Sequence, residues 1–145
     1  MTLKVTKTDV WSVAIQDQPG GLAKVMATIA GAGANLECVI ARRQPDQPGT
    51  GVVFVTPLKG KRPLAAATAA GFKATQRIAT LKVEGGDHPG LGAQLAQAVG
   101  AADVNMRGLT AAAIGRKFVC YLGFDNWGDA NRAAVAIRAL GRKKK

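Results

Sequence analysis

Asp17-Gln18-Pro19-Gly20-Gly21-Leu22 and, 70 residues further on, Asp87-His88-Pro89-Gly90-Leu91 are two copies of one phrase. Each copy is followed at the same distance by an asparagine: Asn35 lies 18 residues after Asp17, and Asn105 lies 18 after Asp87. A repeat that keeps both a turn and a distant polar residue in register reads as a duplicated folding unit carrying a duplicated site. A chain of 145 residues has room for two such halves, each with a modest core.

Working outward from the first copy, residues 10–16 place Trp11, Val13 and Ile15 on one face and Ser12, Ala14 and Gln16 on the other, which is a strand period. Pro19 fits the first turn of a following helix, in which Leu22, Val25, Met26 and Ile29 recur at three- and four-residue spacing and Gly31 and Gly33 mark the end. Residues 36–43 and 51–57 are β-rich and flank a loop of prolines and glycine, so they are expected to pair antiparallel. Pro63 opens an alanine-rich helix to Ala70, Gly71 stops it, and residues 72–75 return to extended structure. The order is β-α-β-β-α-β, the split βαβ arrangement of an α+β, ferredoxin-like domain.

The second half repeats it: strand 78–83, helix 91–99, strands 104–113 and 118–124, and helix 129–140. No sixth element follows, only Gly141 and a basic tail, 142–145, expected to be mobile. That would leave the second sheet with an unpaired edge. Residues 3–7 stand before the first unit as residues 72–76 stand before the second. The expectation is that the N-terminal strand completes the second sheet and residues 72–75 complete the first, interlocking the units about an approximate two-fold axis; the reverse assignment also satisfies the count. As sequence segments the units are 1–72 and 73–141, with the tail at 142–145.

Two consecutive β-α-β-β-α-β units with Asp-X-Pro-Gly at the first turn resemble a tandem ACT-domain protein, of the small stand-alone type. The likeness covers nearly the whole chain. It implies a regulatory module for a small molecule, most often an amino acid, held where two such units meet. By that resemblance the turn residues Asp17, Gln18, Pro19, Gly20, Gly21 and Leu22, their counterparts Asp87, His88, Pro89, Gly90 and Leu91, and the asparagines Asn35 and Asn105 are the candidate ligand contacts. A homodimer and a regulated partner enzyme are implied in the same way. Ile15 and Gly85 stand where some serine-binding members carry histidine, which argues against serine itself.

The chemistry of the turn supports the reading independently. A helix N-terminus presents unpaired N–H groups and partial positive charge, which suits the carboxylate of a free amino acid. Glycines 20, 21 and 90 let a ligand approach the backbone. Leu22 and Leu91 are expected to anchor the helices from beneath. Asp17 and Asp87 can accept from a ligand ammonium, and Asn35 and Asn105 carry both donors and an acceptor that could bridge ammonium and carboxylate. The bland alternatives are that the aspartates cap the helices and that the asparagines occupy left-handed turns.

Other residues narrow the function. His88 has Gln18 as its counterpart, which favours a surface turn over catalysis. No Ser-His-acid set, metal-ligand pair or phosphate loop can be assembled, and Gly31-Ala32-Gly33 follows a helix where a dinucleotide loop would precede one. The pattern therefore points to a protein that is not an enzyme and requires no cofactor or metal. Cys38 and Cys120 lie in apolar strand-like runs and read as buried thiols of a reducing compartment. With no secretory signal and no apolar stretch of membrane-spanning length, a cytoplasmic address is expected.

The net charge is +11, of which Arg142, Lys143, Lys144 and Lys145 supply four and the body +7. Apart from Arg42-Arg43, Lys59-Lys61-Arg62 and Arg116-Lys117 the cations are dispersed, which suits a solvated surface better than a polyanion-binding face. The rival function is RNA binding, because RNA-recognition motifs share this element order and set aromatics on the strand that Phe118 and Tyr121 would occupy. With aromatics at 5%, base stacking is poorly supplied. A protein-assembly module is the third reading.

Overall fold

The computed structural model describes residues 2–74 and 79–142. The expected strand residues Thr75 and Ile78 and the tail residues Lys143, Lys144 and Lys145 lie outside them. In chain order the elements are β1 (Leu3–Thr8), β2 (Trp11–Gln16), α1 (Gly21–Gly31), β3 (Cys38–Arg43), β4 (Thr50–Thr56) and α2 (Lys61–Ala69). They continue as β5 (Lys73–Ala74), β6 (Ala79–Gly86), α3 (Leu91–Ala101), β7 (Met106–Ile114), β8 (Lys117–Phe124) and α4 (Trp127–Arg142).

Two four-stranded antiparallel sheets result, ordered β3-β4-β2-β5 and β1-β6-β8-β7. The N-terminal strand joins the second sheet, with Leu3 opposite Gly85 and Thr8 opposite Thr80, while Lys73 and Ala74 of β5 pair with Ser12 and Trp11 of β2. Of the two assignments open from the sequence, this is the one adopted. Each sheet thereby acquires its fourth strand. The compact units are Asp9–Thr75 and Met1–Thr8 with Gln76–Lys145, so packing divides the chain differently from the segments 1–72 and 73–141. The reason is that β1 finds its hydrogen-bond partners in β6.

In the unit Asp9–Thr75, Val25 and Ile29 of α1 pack with Val53 and Val55 of β4, Ala67 of α2, and Leu58 and Phe72. The other unit buries the corresponding row Leu91, Leu95 and Val99 of α3 against Leu81, Val83, Cys120, Leu122 and Phe124, with α4 contributing Ala130, Ala133, Ala134 and Ile137. Alternation along the strands explains the placement, since every second side chain of β6 and β8 turns to the helices. Three contacts hold β1 against α4. Arg138 Nη2 donates to Val5 O at 3.2 Å, Lys7 Nζ lies 5.3 Å from the Trp127 ring centroid, and Gly141 abuts Leu3 closely enough that an added Cβ would stand 3.3 Å from it.

Candidate functional site

The two copies of the repeated phrase fold into the same turn. Gly21 N donates to Gln18 O at 3.1 Å and Leu91 N donates to His88 O at 3.3 Å. Gly20 has φ 82 and ψ −6, and Gly90 has φ 84 and ψ 1. Proline second and a left-handed glycine third define a type II β-turn, for which proline pre-sets φ and glycine removes the Cβ penalty. Pro19 is therefore a turn residue preceding α1, not part of its first turn: the left-handed Gly20 cannot be helical, and the helix begins after it. The helices follow at once, with Lys24 N donating to Gly20 O and Gln94 N to Gly90 O, both at 3.0 Å. Their first-turn N–H groups, those of Leu22 and Ala23 in α1 and of Gly92 and Ala93 in α3, have no intrahelical carbonyl to meet.

Each turn is also pinned to the hairpin beside it. Asp17 N donates to Gly49 O at 3.0 Å and Asp87 N donates to Arg116 O at 2.8 Å. These two carbonyl contributors were missed in the sequence because the two hairpin loops differ in length and hide their equivalence. The aspartate side chains do not cap their helices: Gly20 and Gly90 are the cap residues and neither helix start has a side-chain cap bond. Capping in this chain looks different. At α4, Asn126 Oδ1 accepts from Asp129 N at 2.7 Å.

Asn35 and Asn105 are exposed and precede β3 and β7. Neither occupies a left-handed turn; Gly33 (φ 90) and Asp103 (φ 59), two residues earlier in each copy, do so instead. Within one unit the structure does not bring aspartate and asparagine together. Eleven helical residues, about 16 Å of helix, separate the Asp87 turn from the end of α3. Asn105 also lies at the end of the β7–β8 pair where Met106 meets Phe124, opposite the hairpin end that holds Asp87.

The copies differ in two respects that bear on chemistry. Leu91 is 1% exposed and anchors α3 as expected, whereas Leu22 is 38% exposed and anchors nothing. Gly21, not Leu22, holds the position equivalent to Leu91, and a Cβ there would come within 2.7 Å of Gln16 O. The second difference is an ion pair. Arg43 Nε lies 2.7 Å from Asp17 Oδ2, with the two side chains 83% and 36% exposed. Ala113 replaces Arg43 in the other copy, and among the described residues no cation pairs with Asp87.

His88 sits on the turn with Nδ1 3.0 Å from Pro89 O. Cys120 is buried, and burial pushes its thiol up to about 11; Cys38 is half-buried and is raised for the same reason. Among the described residues no group of three His, Cys, Asp or Glu side chains gathers where a metal ion could be held, and no helix is long and apolar enough to cross a membrane.

The unit Asp9–Thr75 runs β-α-β-β-α-β, the other runs β-α-β-β-α with β1 supplying its fourth strand, and each opens its first helix from an Asp-X-Pro-Gly turn: a duplicated α+β, ferredoxin-like fold of the kind seen in tandem ACT-domain proteins. No family model matches the sequence, and no curated protein matches it. Solved structures do. Protein BT0572 from Bacteroides thetaiotaomicron superposes with a TM-score of 0.75 at 14% identity, over 90% of this chain and 88% of that one. The regulatory subunit of aspartate kinase from Thermus thermophilus, in ligand-free form, gives a TM-score of 0.65 at 20% identity, over 100% of this chain and 98% of that one. Its counterpart from Thermus flavus gives 0.63 at 20% identity, over 94% and 95%.

Proposed function

We propose that this protein is a non-catalytic, cytoplasmic regulatory module that binds a free amino acid at its Asp-X-Pro-Gly turns and conveys occupancy to a partner enzyme. The observation that carries the reading is the duplicated turn itself. Twice the chain builds a left-handed glycine that opens a helix, leaves first-turn N–H donors without an intrahelical carbonyl, and places in the same turn an aspartate with no capping duty. Donors of that kind suit a carboxylate and the adjacent acid suits an ammonium, which are the two charges of an amino acid. Likeness to aspartate kinase regulatory subunits supports the regulatory half of the proposal. Asn35 and Asn105, remote from the turn of their own unit, fit a homodimer in which a second copy supplies them to the ligand.

RNA binding has less to rest on. Of the two rings expected on that strand, Phe118 points into the core and only Tyr121, half-buried, lies on the other face of β8, which leaves one ring where a stacking surface needs several. The test is a thermal-shift screen of the common amino acids at millimolar concentration, followed by calorimetry on any that respond. A binder at 100 times its Kd raises stability by about 2.7 kcal/mol. Silence across the whole set would remove the proposal.

A further inference from the structure

The two turns share one backbone and differ in what their aspartates face. β3 ends at Arg43, which is opposite Gly51 on β4, and Gly51 is in turn opposite Ile15 on β2, two residues before Asp17. Arg43 thus starts two strands away from the turn and spans the side-chain-free Gly51 position to bring its Nε within 2.7 Å of Asp17 Oδ2. In the other sheet the same ladder positions are Ala113 on β7, Phe118 on β8 and Gly85 on β6. Alanine cannot reach across, and Asp87 stays exposed in a turn region that is open at Gly86, Gly90 and Gly92, at each of which an added Cβ would meet nothing within 4 Å.

We propose that Arg43 is a tethered competitor for the ligand ammonium, so that the Asp87 turn fills at lower ligand concentration than the Asp17 turn. This rests on the amino-acid reading above and adds to it which copy fills first and what sets the difference. A cation fixed to the same sheet is present at high effective concentration, yet an ion pair this exposed is weak, so the competition amounts to about two- to fivefold in affinity. Being electrostatic and solvent-facing, it also fades as salt rises.

The test is a reciprocal exchange, read by amide NMR on the full chain titrated with an equimolar mixture of the twenty common amino acids. In the native protein Gly90, Leu91 and Gly92 should shift at lower concentration than Gly20, Gly21 and Leu22. Arg43→Ala should strengthen the response of the first turn by about two- to fivefold and leave the second alone, while Ala113→Arg should weaken the second by a similar factor. The gap between the turns should narrow at 1 M salt. Equal responses at the two turns of the native protein, or responses that ignore both exchanges, overturn the competitor role while leaving amino-acid binding standing. No response at either turn, in the native protein and in Arg43→Ala alike, overturns the amino-acid reading and the assignment built on it. The native amide spectrum elsewhere in each variant shows that the fold is retained.

Discussion

Asp17 and Asp87 occupy the position in sequence where a helix cap is expected, yet the residue that caps is Asn126, whose Oδ1 receives the Asp129 N–H at 2.7 Å. Two substitutions separate these roles. Asn126→Ala should cost about 1 kcal/mol in calorimetric stability, whereas Asp87→Ala should change stability by less than about 0.5 kcal/mol and lower affinity for an amino acid. An Asp87→Ala variant as unstable as Asn126→Ala would mean that the acid is structural after all. Gly90→Ala tests the turn from the other side. At φ 84 a Cβ is strained, so the substitution should cost about 1–2 kcal/mol even though the added methyl has open space. Cys120 makes a pH prediction. Burial raises its thiol from 9.0 to about 11; a pKa higher in the folded chain means that its stabilising contribution is complete below the unfolded value and drains away as pH climbs through the folded one. Urea midpoints should therefore fall more steeply between about pH 9 and 11 for the native protein than for Cys120→Ala, and identical slopes would show that the thiol is not the titrating group.

At the scale of elements, α1 and α3 show what a one-residue difference does on a helix. Residues four apart share a face, so the inward rows are the half-buried Gly21 with buried Val25 and Ile29, and the buried Leu91, Leu95 and Val99, and Leu22, one step off, turns by about 100° toward solvent. Leu91→Ala should cost about 2–5 kcal/mol and Leu22→Ala less than about 0.5, measured by urea unfolding; equal losses would refute this placement. Much of the architecture was legible because repeat, strand alternation and turn residues agree with one another: the hairpins and both helices of each half follow from element count and period, while the count left two destinations for the first strand, between which only the pairing of β1 with β6 decides. Pairing Leu22 with Leu91 failed because it matched residue types instead of the repeat register. The Asp17–Arg43 contact was illegible for a different reason: Arg43 lies 26 residues from Asp17 and reaches it only through the ladder Arg43–Gly51–Ile15. Core content separates the units too. Among the described residues the cluster around α3 and α4 contains 16 buried hydrophobic residues and that around α1 and α2 contains 7, so amides of Val53 and Val55 should exchange faster than those of Leu81 and Cys120.

At the scale of the molecule, the second unit is discontinuous: its sheet is completed by a strand from the opposite end of the sequence, and β6 would become an edge without it. The geometry shows how that unit could be made continuous. Gly141, near the end of α4, touches Leu3 at the start of β1, so the helix stops where the strand begins, as in a ferredoxin-like domain whose last helix feeds its last strand. A permuted chain running from residue 79 to 142, then a short Gly/Ser linker, then residues 2–8 should fold alone as a cooperative unit, recovering the Leu3–Gly85 to Thr8–Thr80 register, the Arg138–Val5 bond and the Lys7–Trp127 contact. The same chain without residues 2–8 loses the buried Val5 and leaves every hydrogen-bonding group on one side of β6 unpaired. It should melt at lower temperature, with amide protection lost first along β6 and then at its β8 partners from Ala79–Phe124 to Gly86–Lys117. If the two chains prove equally stable and equally protected, β1 is an ornament on a sheet that holds without it, and the exchange of terminal strands between the halves has no energetic basis.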